Sequence, residues 1–368
     1  MIYDYLVIGG GIAGASAAYT LSARGSVLLL EAEATMGFHA TGRSAALYTR
    51  NFGSPIVRQI NAASAGFFRA PPPGFCDTPL MTPRGALTVA PPGHEGALDA
   101  LLALSEPGEE LCEIAPADAC TRVPFLRPDR VARAVYESNV TDIDVATLHL
   151  SYLKGAKAQG AVAATGQGVT GLSHDGAVWQ VKTAKDSFAA TTIVNAAGAW
   201  ADRIGALAGA RPIGLVPKRR TAIIINAPAG TDCAALPAVD FADTDAYIKP
   251  DAGKLMVSPG DATPTDPHDA WADDMDIAVL ADWIERETQI TITRIEHSWA
   301  GLRSFVTDEA PVVGFDSTVP GFFWLAGQGG YGIMMAPTLA MLTAELCSET
   351  GGGLADRFAK ALSPDRLA

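Results

Sequence analysis

The first thirty residues alternate between apolar and small-residue segments in a pattern typical of a strand, a helix and a second strand. Two uninterrupted apolar runs, Tyr5–Ile8 and Val27–Leu30, predict buried parallel strands. Between them, the small residues from Ala15 to Leu21 predict a helix that can pack closely on a sheet. Strands joined through a helix in this way predict an α/β fold with a parallel sheet.

Similar patterns return in the middle and near the end of the chain. Apolar or alternating residues predict further strands over 85–90, 161–164, 178–183, 187–190, 192–198, 220–226, 255–257, 289–299 and 322–326. Helical spacing predicts helices over 144–159, with Asp144 as N-cap, and over 278–288 and 336–349. Because the segments near 220–257 look like a separate sheet, we expect a discontinuous parallel core with another sheet inserted into it.

The turn after the first strand has the spacing of a dinucleotide-binding motif. Gly9 permits a tight turn, Gly11 lets the backbone approach a pyrophosphate, and Gly14 lets the helix lie close to the strand. The N-terminus of the helix offers free N–H groups to phosphates. Glu31 ends the second strand 20 residues beyond Gly11, where a carboxylate accepts hydrogen bonds from a ribose and disfavours NADP. This turn alone leaves NAD and FAD as alternatives.

Composition narrows the class of protein. The 368 residues are 48% apolar and 18% charged, as in a well-buried α/β enzyme, and the net charge of −13 argues against nucleic acid as a partner. No apolar stretch approaches the length of about 18 residues that spans a bilayer, and no signal peptide is evident. We therefore expect a cytoplasmic protein and leave a peripheral membrane contact open.

Cysteine and histidine spacing does not indicate a metal site or a disulfide framework. The five cysteines include no CxxC pair, and the six histidines include no HxH or HxxxH pair. Buried or unreactive thiols are the favoured interpretation, and no metal is expected.

Three further segments favour FAD over NAD. Residues 40–46 form a loop of small and polar residues after the second strand, and residues 194–202 form a turn of small residues that lets the backbone approach a cofactor. The glycine-rich run 327–332 supplies N–H groups at a helix N-terminus, where they can stabilise the negative charge of a reduced flavin. A nicotinamide enzyme needs only the first glycine turn.

Together these motifs resemble the D-amino-acid oxidase family of FAD-dependent oxidoreductases, over nearly the whole chain. Within that family the chain is similar to the bacterial D-arginine dehydrogenase type, through ATGRSAA (40–46), PKRR (217–220), YIKPDAG (247–253), WAGLRSF (299–305) and QGGYGI (328–333). The resemblance implies an FAD-binding domain over 1–80, 141–215 and 300–368, and a largely antiparallel substrate domain over 81–140 and 216–299. It also implies that FAD contacts Gly9, Gly11, Ile12, Ala13, Gly14, Glu31, Ala32, Thr41, Gly42, Arg43, Ser44, Ala45, Ala46, Val169, Ala197, Gly198, Trp200, Arg303, Gly329, Gly330, Tyr331, Gly332 and Ile333.

The resemblance also assigns a carboxylate-binding group. It puts the substrate-binding arginine of the family at Arg303, whose guanidinium can hold a carboxylate through two parallel hydrogen bonds. Tyr247 is a second candidate for that carboxylate, with a packed aromatic as the alternative. Arg220 is either a second cation at the site or a salt-bridge partner at a strand end.

His39 matters because a histidine near this position carries flavin covalently in some relatives. In the D-arginine dehydrogenase type it does not, and a hydrogen-bonding loop histidine is the favoured interpretation, so we expect non-covalent FAD. The sarcosine oxidases attach flavin through a cysteine near the carboxylate-binding segment. This chain has no counterpart of it, because no cysteine lies between Cys233 and Cys347.

The expected substrate pocket differs from that of the D-arginine dehydrogenase type at Leu47, Phe52, Ala86 and Met334. These residues stand where that type has histidine, tyrosine, glutamate and glutamine. The pocket is therefore expected to prefer neutral apolar side chains. Asp240 could restore a negative charge to it, but an exposed loop residue is the favoured interpretation.

The predicted reaction is FAD-dependent oxidative deamination of a D-amino acid, giving a 2-oxo acid and ammonia through an imino acid. The alternatives are oxidation of N-methyl amino acids, as in the sarcosine and glycine oxidase type, or of 2-hydroxy acids. The sequence leaves open whether oxygen, a quinone or another carrier accepts the electrons.

Overall fold

The computed structural model describes residues 1–105, 111–348 and 351–367. Its strands, in chain order from β1 to β20, are Ile2–Ile8, Val27–Leu30, Leu47–Tyr48, Met81–Pro83, Ala86–Ala90, Leu111–Ile114, Arg133–Glu137, Thr141–Ile143, Val162–Ala164, Val169–His174, Trp179–Thr183, Ser187–Asn195, Val216–Ile225, Ala238–Phe241, Tyr247–Asp251, Lys254–Ser258, Thr263–Pro264, Ile295–Phe305, Val312–Phe315 and Phe322–Ala326. Its α-helices, from α1 to α9, are Ile12–Ser22, Pro55–Arg69, Ala97–Leu102, Pro116–Arg122, Val145–Ala158, Ala201–Ala208, Asp274–Glu287, Gly332–Cys347 and Gly353–Leu362.

The first sheet holds the two strands that flank the glycine turn. Its main path runs β10, β11, β12, β1, β2, β9, and β1 pairs in parallel with both β2 and β12. β12 is long enough to pair with β11 along its first half and with β20 along its last three residues. This arrangement brings the C-terminal ends of β1, β12 and β20 together at one edge, where ligands bind in open α/β sheets.

Residues on β1 alternate between two hydrophobic clusters, which explains why the strand is apolar throughout. Tyr5 and Val7 pack with α1, α2 and α8, whereas Leu6 and Ile8 pack with α6 and the β11 side. Both faces of the parallel strands are therefore buried. The fold is mixed α/β with parallel and antiparallel sheets, as the sequence predicts.

The second sheet runs β17, β13, β16, β15, β14, β5, β7, β6, with β18 on the other edge of β13. All of its pairs are antiparallel except β5 with β14. One face is covered by α4 and α7 and includes Val239, Ile248 and Val257. The opposite face, called here the cavity face, follows from the strand registers and includes Ala86, Thr88, Glu137, Asp240, Tyr247, Met256, Arg220 and Arg303.

The structure corrects several details of the predicted elements. The strand expected over 289–299 begins at Ile295 and continues to Phe305, because Gln289 bonds instead to the backbone oxygens of Phe125 and Leu126. β10 was missed. The helix expected over 336–349 begins at Gly332, and residue 349 lies outside the described residues.

Two further corrections concern the second sheet. The helix expected over 278–288 begins at Asp274, because the Asp273 side chain accepts a hydrogen bond from the Met275 N–H and caps it. Asp240 lies within β14 and not in a loop, because that short segment pairs with β5 from far earlier in the chain.

The expected division into two domains stays a prediction. β18 crosses residue 300, where one expected boundary falls, and it pairs along its length with β13 of the second sheet. Within the described residues, no helix is long and apolar enough to cross a membrane.

Candidate active site

The glycine turn after β1 is built by two close backbone approaches. Gly9 has a φ of +108°, and a Cβ there would lie 2.4 Å from the Ala196 carbonyl oxygen. A Cβ on Gly14 would lie 1.8 Å from the Gly9 carbonyl oxygen, so only glycine lets α1 begin this close to the turn. These contacts hold the backbone tightly at the edge where β1 and β12 end.

Glu31 is held in place by the backbone around it. Its Oε2 accepts a hydrogen bond from the Gly10 N–H at 2.8 Å, and its Oε1 accepts one from the Glu33 N–H at 2.9 Å. A carboxylate has about four acceptor sites, so these bonds fix its orientation and leave capacity for ribose hydroxyls. Glu31 also lines the cavity described next.

A cavity of about 390 Å³ runs from Glu31 past the glycine turn to the start of α8. Its wall includes the first residues of α1 and α8, whose leading N–H groups lack acceptors within their own helices. One of these N–H groups, that of Ile12, donates a hydrogen bond to Thr41 Oγ1 at 2.9 Å. The cavity thus combines a carboxylate that can accept hydrogen bonds from ribose hydroxyls with two helix N-termini that can donate to a pyrophosphate, a set that suits a dinucleotide.

Most of the residues predicted to contact FAD or the substrate carboxylate line this one cavity. They are Gly9, Gly11, Ile12, Ala13, Glu31, Ala32, Thr41, Arg43, Ser44, Ala45, Val169, Ala197, Gly198, Trp200, Arg220, Tyr247, Arg303, Gly329, Gly330, Gly332 and Ile333. The others lie outside its wall, and they are Gly14, Gly42, Ala46, Tyr331, Leu47, Phe52, Ala86 and Met334. Cavity residues that the sequence analysis missed include Gln167, Met256, His268 and Gln328.

Arg43 joins the cofactor loop to the second sheet. Its Nη1 donates hydrogen bonds to the backbone oxygens of Ala270 at 2.8 Å and Ala300 at 2.9 Å, and its guanidinium pairs with Asp269. In return, Trp299 Nε1 donates to the Arg43 carbonyl oxygen at 3.2 Å. The predicted cofactor residue Arg43 therefore also holds β18, the strand that carries Arg303.

Two cations and a phenol meet on the cavity face. Lys218 is opposite Arg303, and Arg220 is opposite Gly301, in the register of β13 and β18, so both arginines lie on that face. Arg220 Nε donates to the Asp261 carbonyl oxygen at 2.7 Å. Burial, together with the charge of Arg303, lowers the pKa of Arg220. Such mutual destabilisation of two cations favours an anion between them.

Arg303 has no hydrogen-bond or ion-pair partner within the described chain. Its guanidinium lies beside Gly330, where a Cβ would be 3.1 Å from Nη1. It is therefore next to the glycine run that begins α8. A ligand carboxylate can supply the partner that the described residues do not.

The predicted pocket residues lie in separate parts of the fold, and none of them lines the cavity. Leu47 pairs with Asp142 in a small sheet of β3, β8 and β4. Phe52 is 51% exposed and packs edge-on against Tyr331. Ala86 lies on the cavity face opposite Glu137, whereas Met334 is buried in the cluster between α8, α1 and α2. Their roles in specificity stay predictions.

His39 lies on the cavity wall and is engaged by protein groups. Its Nε2 is 3.0 Å from Glu33 Oε1, and its ring packs on that of Trp200 at a centroid distance of 4.6 Å. The ring is thus positioned by a carboxylate and an aromatic neighbour.

The sequence analysis missed His149, which lies behind the glycine turn. This buried side chain on α5 places Nε2 2.9 Å from the Gly10 carbonyl oxygen, and a Cβ on Gly37 would be 2.9 Å from its Cε1. Burial lowers its pKa, which favours the neutral imidazole. The sequence did carry a signal that His149 is buried, because it lies one helical turn before Tyr152 on the same face of α5.

Comparison with known proteins identifies the family of the chain. The family described as FAD dependent oxidoreductase (DAO) matches residues 4–346. The glycine oxidase of Geobacillus kaustophilus (strain HTA426) is 25% identical over 367 residues, covering 94% of this chain and 92% of that protein. Human mitochondrial sarcosine dehydrogenase is 25% identical over 248 residues, but these cover 62% of this chain and 26% of its length.

Solved structures agree on the fold. The crystal structure of L-proline dehydrogenase from P. horikoshii superposes with a TM-score of 0.84 at 22% identity, covering 100% of this chain and 98% of that one. Because the family match spans most of the chain and the cavity carries the matching donor set, the cofactor is FAD. The chain belongs to the DAO family of FAD-dependent oxidoreductases.

Proposed function

We propose that the chain oxidises the carbon–nitrogen bond beside the carboxylate of glycine or of a small N-alkylated amino acid. The observation that carries this proposal is the meeting of Arg303, Arg220 and Tyr247 at the end of the cavity where α8 begins. The relatives support the same class, since glycine oxidase and sarcosine dehydrogenase are named for such amines.

Each of the three side chains has a distinct role. Arg303 binds the substrate carboxylate through its two-pronged guanidinium, and Arg220 adds a second positive charge. Tyr247 contributes an O–H donor to the same carboxylate. Anchoring the carboxylate fixes the α-carbon in one position, so that its hydrogen faces the flavin. FAD, when bound, supplies the two-electron acceptor for the hydride.

The neutral amine is the form that reacts. Loss of hydride from the α-carbon and of a proton from nitrogen gives an imine, and water then converts it to a 2-oxo acid and an amine or ammonia. A dedicated strong base is not required, because the amine can lose its proton before the hydride transfer.

The experiment is anaerobic mixing of the purified holoenzyme with a substrate panel, followed by flavin absorbance. The panel contains glycine, sarcosine, L-proline, D- and L-amino acids, and 2-hydroxy acids. Bleaching by glycine or sarcosine supports the proposal, and bleaching by 2-hydroxy acids alone contradicts it. Repeating the active reaction in air and measuring peroxide separates an oxidase from a dehydrogenase.

Oxidative deamination of a D-amino acid is the second candidate. The residues that favour it are Arg303, Arg220 and Tyr247 within the sequence strings of the D-arginine dehydrogenase type. With the carboxylate anchored and the α-hydrogen facing the flavin, only one hand of the substrate directs its side chain into the pocket. Faster bleaching by D-amino acids than by glycine and sarcosine in the same panel would select this reaction.

We also propose that FAD is bound without a covalent bond. The contacts of His39 with Glu33 and Trp200 support this, because they occupy one ring nitrogen and one ring face. Acid precipitation of the holoenzyme is expected to release all yellow colour into the supernatant. Colour retained in the pellet on a His39 peptide contradicts the proposal, and His39→Asn shows whether the retained colour depends on that ring.

A further inference from the structure

The segment that follows β9 lines one end of the cavity. The parallel strands β20, β12, β1, β2 and β9 are neighbours in that order, so this segment and the glycine run after β20 lie at opposite ends of the row. A dinucleotide with its pyrophosphate at the turn after β1 and its ribose at Glu31 extends next over the end of β9. This part of the cavity, lined by Gln167, Gly168 and Val169, is called here the adenosine end.

The backbone of Gln167 is attached to the segment that follows β2. Its N–H donates a hydrogen bond to the Glu31 carbonyl oxygen at 2.8 Å, and the N–H of Gly166 donates to the Glu33 carbonyl oxygen at 2.8 Å. The pairing of β2 with β9 thus continues beyond both strands, along the wall of the cavity. The side chain of Gln167 is buried although the residue lines that wall.

Both ends of the Gln167 amide are bonded to the turn between β11 and β12. Its Nε2 donates to Asp186 Oδ2 at 2.6 Å, and its Oε1 accepts a hydrogen bond from Thr183 Oγ1 at 2.6 Å. Because a carboxylate only accepts hydrogen bonds, Asp186 determines which end of the amide is the donor. The amide therefore links the cavity wall to a turn that is not part of that wall.

Thr183 is oriented by its own turn to make this link. Its hydroxyl oxygen accepts hydrogen bonds from the N–H groups of Lys185 at 3.2 Å and Asp186 at 2.9 Å, and Gln167 Oε1 is the nearest acceptor for its single proton. Thr183 is also opposite Val169 in the register of β10 and β11, which shifts directly after Val169. The link thus supports Val169 where the strand pairing is irregular.

We propose that Gln167 is a positioning residue for the adenosine half of FAD. By tying the segment after β9 to the turn between β11 and β12, its amide holds Gly168 and Val169 in place at the adenosine end. The link thereby contributes to a preference for FAD over FMN, which lacks the adenylate. The inference concerns binding of the cofactor, so it goes beyond the proposed reaction and does not depend on it.

The test compares the binding of FAD and FMN to the full chain freed of flavin, by flavin fluorescence titration. Gln167→Glu keeps the size of the side chain but puts a second carboxylate against Asp186. It is expected to raise the Kd for FAD about tenfold, because a buried donor is lost and two like charges meet at hydrogen-bond distance. The Kd for FMN is expected to stay within about twofold of the parent value.

A double variant tests the hydrogen bond itself. Adding Asp186→Asn to Gln167→Glu reverses the polarity of the link, because the new amide can donate to the new carboxylate while Thr183 donates to its other oxygen. It is expected to bring the Kd for FAD back to within about threefold of the parent value. Gln180→Glu is the matched control, because Gln180 is exposed on β11 of the same hairpin, and it should keep the parent preference.

A second variant reaches the same link from outside the cavity. Thr183→Val keeps a β-branched side chain at a strand end and removes only the hydroxyl, so the hairpin is expected to form and the preference for FAD to fall about threefold. Equal loss of FAD and FMN affinity in Gln167→Glu would assign that residue to the stability of the fold and overturn the inference. An unchanged preference in both single variants, or a double variant no better than Gln167→Glu, would also overturn it.

Discussion

The two ends of the cavity are held by different means. At the nucleotide end, most of the contacts lie within one β–α–β segment, through Gly9, Gly14 and the carboxylate of Glu31, and the end of β12 adds the close approach of Ala196 to Gly9. At the proposed substrate end, side chains from β13, β15 and β18 reach the same cavity only because those strands belong to one sheet in a fixed register. The comparison teaches that the glycine turn and Glu31 are positioned largely by local sequence, whereas the proposed substrate-binding residues are brought together by pairings between distant segments.

This difference predicts how each end tolerates change. A residue on the cavity face can be exchanged without moving the backbone, because its Cβ direction is set by the strand. A glycine in the nucleotide turn cannot, because the added atom meets backbone that has no room to move. Variation in substrate is therefore compatible with a constant FAD site.

The largest effect on activity is expected at Arg303. Arg303→Ala should lower kcat/KM by about 10²–10⁴-fold, because the substrate carboxylate then lacks its charged partner in a desolvated site. Arg303→Lys should also be poor, since an ammonium cannot reproduce the two-pronged geometry. Steady-state kinetics with flavin content as a check measures this.

Arg294→Ala is the control for Arg303. Arg294 precedes the same strand, its side chain is 73% exposed, and its contact with Glu296 is 3.7 Å. It should retain the kinetics of the parent. An Arg303→Ala enzyme within a few-fold of the parent would remove Arg303 from the substrate end.

The nucleotide end is tested by two helical glycines. Gly14→Ala should destabilise the fold by about 2–3 kcal/mol and weaken FAD binding, because its Cβ meets the Gly9 carbonyl. Gly66→Ala in α2 should be neutral or stabilising by up to about 1 kcal/mol, because nothing lies within 4 Å of its Cβ. Thermal unfolding and flavin retention on gel filtration measure both. Equal behaviour of the two variants contradicts the close-packing argument.

The same comparison explains what the sequence could predict. The strands Val27–Leu30 and Phe322–Ala326 were predicted with the bounds that the structure shows, because parallel core strands are apolar on both faces. Glu31 and the glycine turn follow each other within one segment, so spacing alone indicates their meeting. The recruitment of β12 and α8 to the same edge follows from the parallel order of the sheet.

The substrate end could not be predicted in the same way. β14 is a short segment that pairs in parallel with β5, about 150 residues earlier in the chain. Its sequence, with Pro237 before it and Asp243 after it, is typical of a loop. Only the register shows that Asp240 lies opposite Thr88, and hydrophobic periodicity carries no information on register between distant strands.

His149 tests whether support from outside the motif matters to the nucleotide end. His149→Ala should raise the Kd for FAD about tenfold, because the Gly10 carbonyl loses its hydrogen bond and the turn loses packing. His149→Gln should restore much of the affinity, since its amide nitrogen can reach the same oxygen. Flavin fluorescence titration of the apoprotein measures both, with His94→Ala as an exposed control. No difference between Ala and Gln variants argues against the hydrogen bond.

The smallest effect is expected at Asp240, and it concerns stability. Because its folded pKa of about 6 lies above the ordinary value, the folded protein holds more protons than the unfolded chain between pH 4 and 6. The charged carboxylate therefore opposes folding above pH 6. Asp240→Asn should raise Tm by about 1 °C at pH 7.5 and leave it unchanged at pH 4. Asp251→Asn should change neither value, and scanning calorimetry of the holoenzymes measures the difference. An equal or lower Tm of Asp240→Asn at pH 7.5 would contradict this prediction, because the charged carboxylate would then not oppose folding.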